Sequence, residues 1–199
     1  MGLILDYPDG ATPLSPEDLA GLIPSHLTTR EQLNEWEFLN VAEGERWAFA
    51  RSHENILSID FMWSLHERMF DGTWKWAGST RTRETIPGIA PDQIEIETKQ
   101  LCENVKAQIK EKSWPIDEIA ARFHHLLVKI HPFPNGNGRF SRTMTDLLLV
   151  QNRAKRFTWG AGDLINDGEV RKRYISALRS ADGKDHGSLF GFVRSVGRE

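Results

Sequence analysis

His131-Pro132-Phe133-Pro134-Asn135-Gly136-Asn137-Gly138-Arg139, continued by Phe140-Ser141-Arg142, separates two helical stretches, and its reading decides the fold. Before it, Ile116, Ile119, Ala120, Phe123, Leu126, Leu127 and Ile130 recur every three or four residues. That spacing predicts a strongly amphipathic helix, which Pro115 and Asp117 help to start and which ends at His131-Pro132. After the loop, the chain is helical again from Arg139 to about Gln151.

The loop itself has the composition of an anion site. Gly136 and Gly138 turn the backbone tightly and present N–H groups without side-chain obstruction, and the next helix starts at Gly138-Arg139 with its unpaired N–H groups and positive dipole end toward the loop. Arg139 and Arg142, three apart on the first turn, share one face and suit phosphate oxygens. His131 opens the loop, where an imidazole poised near neutrality can take a proton from a hydroxyl attacking that phosphate.

Working outward, Pro8, Pro13, Pro16 and Pro24 make the first 27 residues an extended arm with at most one short helix. Thr28 and Glu31 form a capping box for a helix through Leu33, Trp36, Phe38 and Val41 that ends near Gly44, with a second helix resuming near Glu45. Ile56 to Met69 is amphipathic and stops before Asp71-Gly72. From Trp74 to Pro91 the helical pattern breaks, and Arg81-Thr82-Arg83-Glu84-Thr85-Ile86 is the strand material of a short hairpin or flap. Helices through Ile94 to Ile109, Asp163 to Ala181 and Ser188 to Val196 complete an all-α chain of seven or eight helices.

The chain has 199 residues, 39% hydrophobic and 27% charged, which is ordinary globular usage for one domain needing neither disulfides nor a structural metal. A single cysteine, Cys102, excludes an intramolecular disulfide framework and a cysteine-based zinc site. The net charge of -3 argues against nucleic acid as a partner, although residues 151–199 carry ten Lys/Arg against six Asp/Glu and are basic. No stretch approaches the length of a membrane span, and the N-terminus lacks a basic region before its apolar run, so the expectation is a cytoplasmic protein with no membrane partner. His124, His125 and His131 lack the carboxylates and spacing of a zinc enzyme. The seven tryptophans follow apolar helical positions or the flap and read as core.

HPFPNGNGRFSR resembles the signature of the Fic (filamentation induced by cAMP) family, His-x-Phe-x-(Asp/Glu)-Gly-Asn-Gly-Arg-x-x-Arg, and Trp76-Ala77-Gly78-x-x-Arg81 resembles the family's segment leading into its target-docking flap. The likeness covers roughly residues 31–150 and is similar in detail to the subgroup called mobile mystery protein B. It implies an all-α Fic-fold helical bundle with a short β-hairpin flap, an arm over residues 1–27 and a Fic domain over 28–199, with a core at 31–150 and C-terminal helices at 163–196. The implied activity is transfer of AMP from ATP to a Ser, Thr or Tyr hydroxyl of a target protein. In that scheme His131 is the general base, Gly136, Asn137 and Gly138 form the anion hole, and Arg139 and Arg142 hold the distal phosphates. Thr82, Arg83, Glu84, Thr85 and Ile86 would dock the target by strand addition.

Two positions leave the family reading open. Asn135 stands where the pattern carries Asp or Glu to hold Mg²⁺ (or Mn²⁺), and a neutral amide is a weaker ligand for a hard cation. Either the nucleotide and the Asn135 oxygen hold the metal, or the donor is another phosphate compound, or the protein is a catalytically silent module that binds a nucleotide or partner. Glu43-Gly44 matches half of the family's inhibitory pattern, which would set Glu43 against Arg142; its other reading is a solvated helix charge. Among partners, a target protein is implied, while self-modification and homo-oligomerisation stay open.

Overall fold

The computed structural model describes residues 12–50, 53, 55–161, 164 and 168–195. Its order is α1 (Pro16–Leu19), α2 (Arg30–Phe49), α3 (Ile59–Phe70), α4 (Ile94–Glu111), α5 (Ile116–Ile130), α6 (Asn137–Gln151), α7 (Gly168–Asp182) and α8 (Gly187–Val193), with 3-10 turns at Pro91–Gln93 and Trp159–Ala161. The all-α expectation holds. Residues 1–11 of the expected arm, and Asp163 and Val196 at the expected bounds of the C-terminal helices, lie outside the described residues.

The amphipathic spacing works as read. Met62, Leu65, Met69 and Phe70 of α3, Phe123 and Leu127 of α5, and Phe140, Met144 and Leu148 of α6 are buried in one core. α5 packs along α6, so the loop 131–136 is a short crossing between two helices anchored in that core. α7 and α8 pack on each other, and α8 also meets α5. Cys102 is buried on α4, where burial pushes its thiol up to about 11.

Three expectations are corrected. The capping box sits one residue later: Thr29 Oγ1 accepts from the Gln32 backbone (3.3 Å) and Gln32 Oε1 accepts from the Thr29 N–H (3.2 Å). α2 also does not end at Gly44 but runs unbroken for 20 residues. Its buried stripe is Leu33, Glu37, Asn40, Gly44 and Ala48, mostly small or polar; of the apolar positions read from the sequence Leu33 is buried and Val41 packs against the core, but Phe38 is exposed, so apolar periodicity marked the helix and only part of its buried face. Gly44 lies against α3, where an added Cβ would stand 2.6 Å from Met69 Cγ and 2.8 Å from its backbone. The stripe's Asn40 caps α3, donating to Arg68 O (3.4 Å) and accepting from Gly72 N (3.0 Å) and Thr73 Oγ1 (3.1 Å).

The third correction concerns the flap: among the described residues 81–90 no hairpin ladder forms. Arg81 supersedes it. Buried, it donates to four carbonyls, His131 O (2.6 Å), Arg83 O (2.7 Å), Ile89 O (2.5 Å) and Ile130 O (3.2 Å), and so folds the segment back onto the end of α5. A planar guanidinium carries five donors, enough to satisfy all four of these inward-facing carbonyls at once. The one bridge among the described residues joins Leu22 of the arm to Trp74, with Ile23 N donating to Thr73 O (2.9 Å) and Lys75 N to Gly21 O (2.8 Å).

Candidate active site

α5 ends because His131 adopts the left-handed conformation (φ 54, ψ 62) and Pro132 follows it. This turn leaves the buried imidazole lining a cavity of about 660 Å³, of a size that suits a small-molecule ligand. The cavity is lined by His131, Asn135, Gly136, Asn137, Gly138, Arg139 and Arg142. The expected base and phosphate-binding residues therefore share one space.

The hydrogen bonds define the tautomer of His131, the expected base. His131 Nδ1 lies 3.3 Å from Val128 O, a carbonyl that can only accept, so the proton sits on Nδ1 and the Nε2 lone pair is free. Nε2 is 3.0 Å from the hydroxyl of Thr12. Burial first, then the positive charges of Arg81 and Arg83, lower the imidazole to about 4, against the pull of the Val128 bond, so it is neutral at physiological pH.

The loop is braced from three sides. Asn137, expected in the anion hole, uses its side chain to staple the loop: Oδ1 accepts from Phe133 N (3.0 Å) and Nδ2 donates to Phe133 O (2.8 Å). Gly136 is at φ +77, and a Cβ there would collide with Phe70 at 2.4 Å, so both conformation and space demand glycine. Below it, His66 stacks on Phe133 with ring centroids 3.6 Å apart. It accepts from Gly78 N at Nδ1 (3.0 Å) and donates from Nε2 to Asn135 O (3.1 Å), and burial lowers it to about 3.

Gly138 is different. A Cβ there meets only Arg142 Nη1, at 3.5 Å, which is ordinary contact, so the fold does not require glycine at this position. No side chain caps α6, and Phe140 N is the first to bond back, to Gly136 O (3.0 Å). The N–H groups of its first turn are thus left for a ligand, in a cradle that a methyl group would narrow.

The two arginines are held differently. Arg139 Nη1 pairs with Glu37 Oε2 at 2.8 Å and lies over the Phe70 ring, and Glu37, buried on α2, also accepts from Trp74 Nε1 (2.6 Å). Arg142 bonds the hydroxyl of Tyr174, which is 2.9 Å from His124 Nε2. His124, stripped of water, is lowered to about 3 and is a buttress of this network. His125 bonds Asp182 (2.9 Å) and lines the same cavity as His131, while His124 turns to Tyr174.

Glu43 does not meet Arg142. It is exposed on α2, and among the described residues its side chain makes no hydrogen bond or ion pair; Glu37, earlier on the same helix, reaches Arg139, and Glu45 accepts from Thr143 Oγ1 (2.9 Å) and acts on Arg142 through its charge. Asn135 is committed at both ends, with Oδ1 accepting from Gly136 N (2.7 Å) and Nδ2 donating to Thr12 O (3.1 Å). No group of three His, Cys, Asp or Glu side chains suited to a metal occurs among the described residues. With Nδ2 engaged on the Thr12 carbonyl and one Oδ1 lone pair on Gly136 N, this neutral amide has one lone pair left for a cation and is a weaker ligand than a carboxylate. Of the flap residues, Arg83 reaches the arm, Thr85 is buried with its hydroxyl on Pro87 O (2.8 Å), Thr82 and Glu84 are exposed, and Ile86 stands 96% exposed beside the cavity.

Glu37, His66, Tyr174 and Thr12 were not singled out from the sequence. A histidine at a buried position of an amphipathic helix was the one available signal; the other three act from segments remote from the loop.

Residues 56–149 match the Fic/DOC family. The chain is 31% identical over 156 residues to protein adenylyltransferase fic-1 of Caenorhabditis briggsae, a match that covers 75% of this chain and 28% of that relative, so it spans little more than a quarter of the relative's length. The N-terminal Fic domain of a VirB-translocated Bep effector protein from Bartonella quintana superposes with a TM-score of 0.70 at 18% identity, covering 86% of this chain and 84% of that one. A second structure of that Bartonella domain, with bound ADP, gives 0.68 at 19% identity, covering 85% and 86%. At such identity the two structures speak to the fold, and they agree with the helical frame described above. Residues 56–149 are thus a domain of the Fic/DOC family.

Proposed function

We propose that the chain is a protein adenylyltransferase, moving AMP from ATP to a hydroxyl of a protein. The observation that carries this reading is the pairing of a lone-pair Nε2 on His131 with a hydroxyl 3.0 Å away, in a cavity also lined by Gly136, Gly138, Arg139 and Arg142. The adenylyltransferase name of the Caenorhabditis relative and the ADP in the Bartonella structure support the same donor.

In this reading His131 Nε2 takes the proton of the attacking hydroxyl, its Nδ1–H held by Val128 O so that the free lone pair faces the acceptor. The first turn of α6 and Arg139 and Arg142 hold phosphate oxygens and stabilise the charge that builds as pyrophosphate leaves. Arg139 must exchange Glu37 for phosphate, so Glu37 takes over the restraining role expected of Glu43. No step is assigned to Asn135 as a metal ligand. The 1–27 arm and the 28–199 domain are the frame for this proposal, and no described helix is long and apolar enough to cross a membrane.

A second reading, a silent nucleotide-binding module, is favoured by the amide at position 135. Following label from α- and γ-labelled ATP into lysate protein, with Mg²⁺ or Mn²⁺, separates the two. Label from α but not γ, lost in His131→Ala, is the expected result. ATP bound without transfer under every condition would leave the module, and a gain of transfer only in Asn135→Asp would locate the defect at the metal.

A further inference from the structure

We propose that the hydroxyl of Thr12 is an acceptor in cis: the chain's own arm delivers it to the base, and the chain adenylylates itself there. This rests on the transferase reading above and names a substrate for it.

A series of contacts holds the arm in register. Thr12 Oγ1 is 3.0 Å from His131 Nε2, and the Thr12 carbonyl accepts from Asn135 Nδ2 at 3.1 Å. The next carbonyl, Pro13 O, accepts from Arg83 Nη2 at 2.8 Å, and Arg83 also pairs with Asp18 at 2.8 Å. Asp18 in turn closes a capping box with Ser15, and Gly21 to Ile23 pair with Thr73 to Lys75. Thr12 lines the same cavity as Gly136, Asn137, Gly138, Arg139 and Arg142. A hydroxyl on the base, beside the phosphate cradle, with the backbone on its C-terminal side pinned, is the arrangement of an acceptor.

The chemistry of Asn135 fits this role. A carboxylate cannot donate to the Thr12 carbonyl, whereas the amide does so while its oxygen still accepts from Gly136 N. In the step, Nε2 removes the proton from Thr12 Oγ1 and the oxygen forms a bond to the α-phosphorus of ATP. The bond from that phosphorus to the bridging oxygen breaks, and pyrophosphate leaves with the electron pair. The imidazolium then releases its proton to solvent, and Thr12 is left as the AMP phosphodiester. Until then the arm occupies the place of any target in trans.

The test incubates the full chain with α-labelled ATP and Mg²⁺ or Mn²⁺, alone and with lysate, followed by peptide mapping by mass spectrometry. Wild type and Thr12→Ser should each take up one AMP on the peptide holding residue 12, at a rate per chain unaffected by dilution. Thr12→Ala should lose that label, and a His131→Ala chain mixed with wild type should stay unlabelled. Label on a different residue, or a rate that grows with protein concentration, overturns acceptance in cis. If wild type and Thr12→Ala label lysate proteins while residue 12 stays bare, this inference falls and the transferase reading stands; if neither labels anything, both fall.

Discussion

Lowering the pH from 8 to 5 should remove much of the stability of the fold, through histidines the site needs neutral. Burial holds His66 and His124 at about 3 and His131 at about 4, against an ordinary 6.5 in the unfolded chain. A folded value below the unfolded one means that the unfolded chain takes up the proton first. The stabilisation is therefore complete above pH 6.5 and is lost as pH falls toward the folded values. At pH 5 each imidazole lies about 1.5 pH units below its unfolded value, or about 2 kcal/mol, and the three together approach 6 kcal/mol. That is comparable with the roughly 5–15 kcal/mol that holds a domain together. His125, also lowered by burial, adds in the same direction; Asp146, whose carboxyl burial raises, opposes it. Urea unfolding followed by tryptophan fluorescence at pH 8, 6.5 and 5 measures the effect. In His124→Gln the steep part of the pH dependence should lose about one proton, or roughly 1.4 kcal/mol per pH unit. A stability that stays level between pH 8 and 5, or a slope unchanged in that variant, would refute the burial argument.

Gly138→Ala should fold as well as wild type or better by up to about 1 kcal/mol, since alanine suits a helix and its Cβ meets only Arg142, yet bind ATP at least about tenfold more weakly, read by calorimetry. Gly44→Ala should do the reverse, lowering the urea midpoint by the equivalent of about 1–3 kcal/mol because its Cβ runs into Met69 of α3; a stabilised variant would show that the helices separate freely. In Arg81→Lys one ammonium cannot reach four carbonyls, so roughly 2–4 kcal/mol of stability should go and limited proteolysis should cut between residues 82 and 90. Glu37→Gln should release Arg139 and tighten ATP binding severalfold while lowering thermal stability; unchanged affinity would mean that the ion pair does not compete with phosphate.

The helices that carry the loop were legible because each buries an apolar stripe at helical spacing, as Phe123, Leu127 and Ile130 on α5 do. The loop was legible because its chemistry is local: base, glycines and arginines lie within a dozen residues, and two helix ends bring them together. α2 was misread for the opposite reason, since Glu37, Asn40 and Gly44 are buried for what they bond or how little room they take, and apolar periodicity is blind to both. Arg81 likewise reads as a charged residue in strand material, and only its four carbonyl partners reveal a clamp.

What the sequence determined by itself was the helical frame and the position of the candidate loop, because spacing along one chain dictates which residues share a helix face or a turn. Tertiary structure alone decided which carboxylate meets Arg139, where Asn135 spends its amide and which hydroxyl reaches His131. Those choices join residues as far apart as Thr12 and His131, 119 positions, and no local pattern records a contact that only the packing of the whole chain creates.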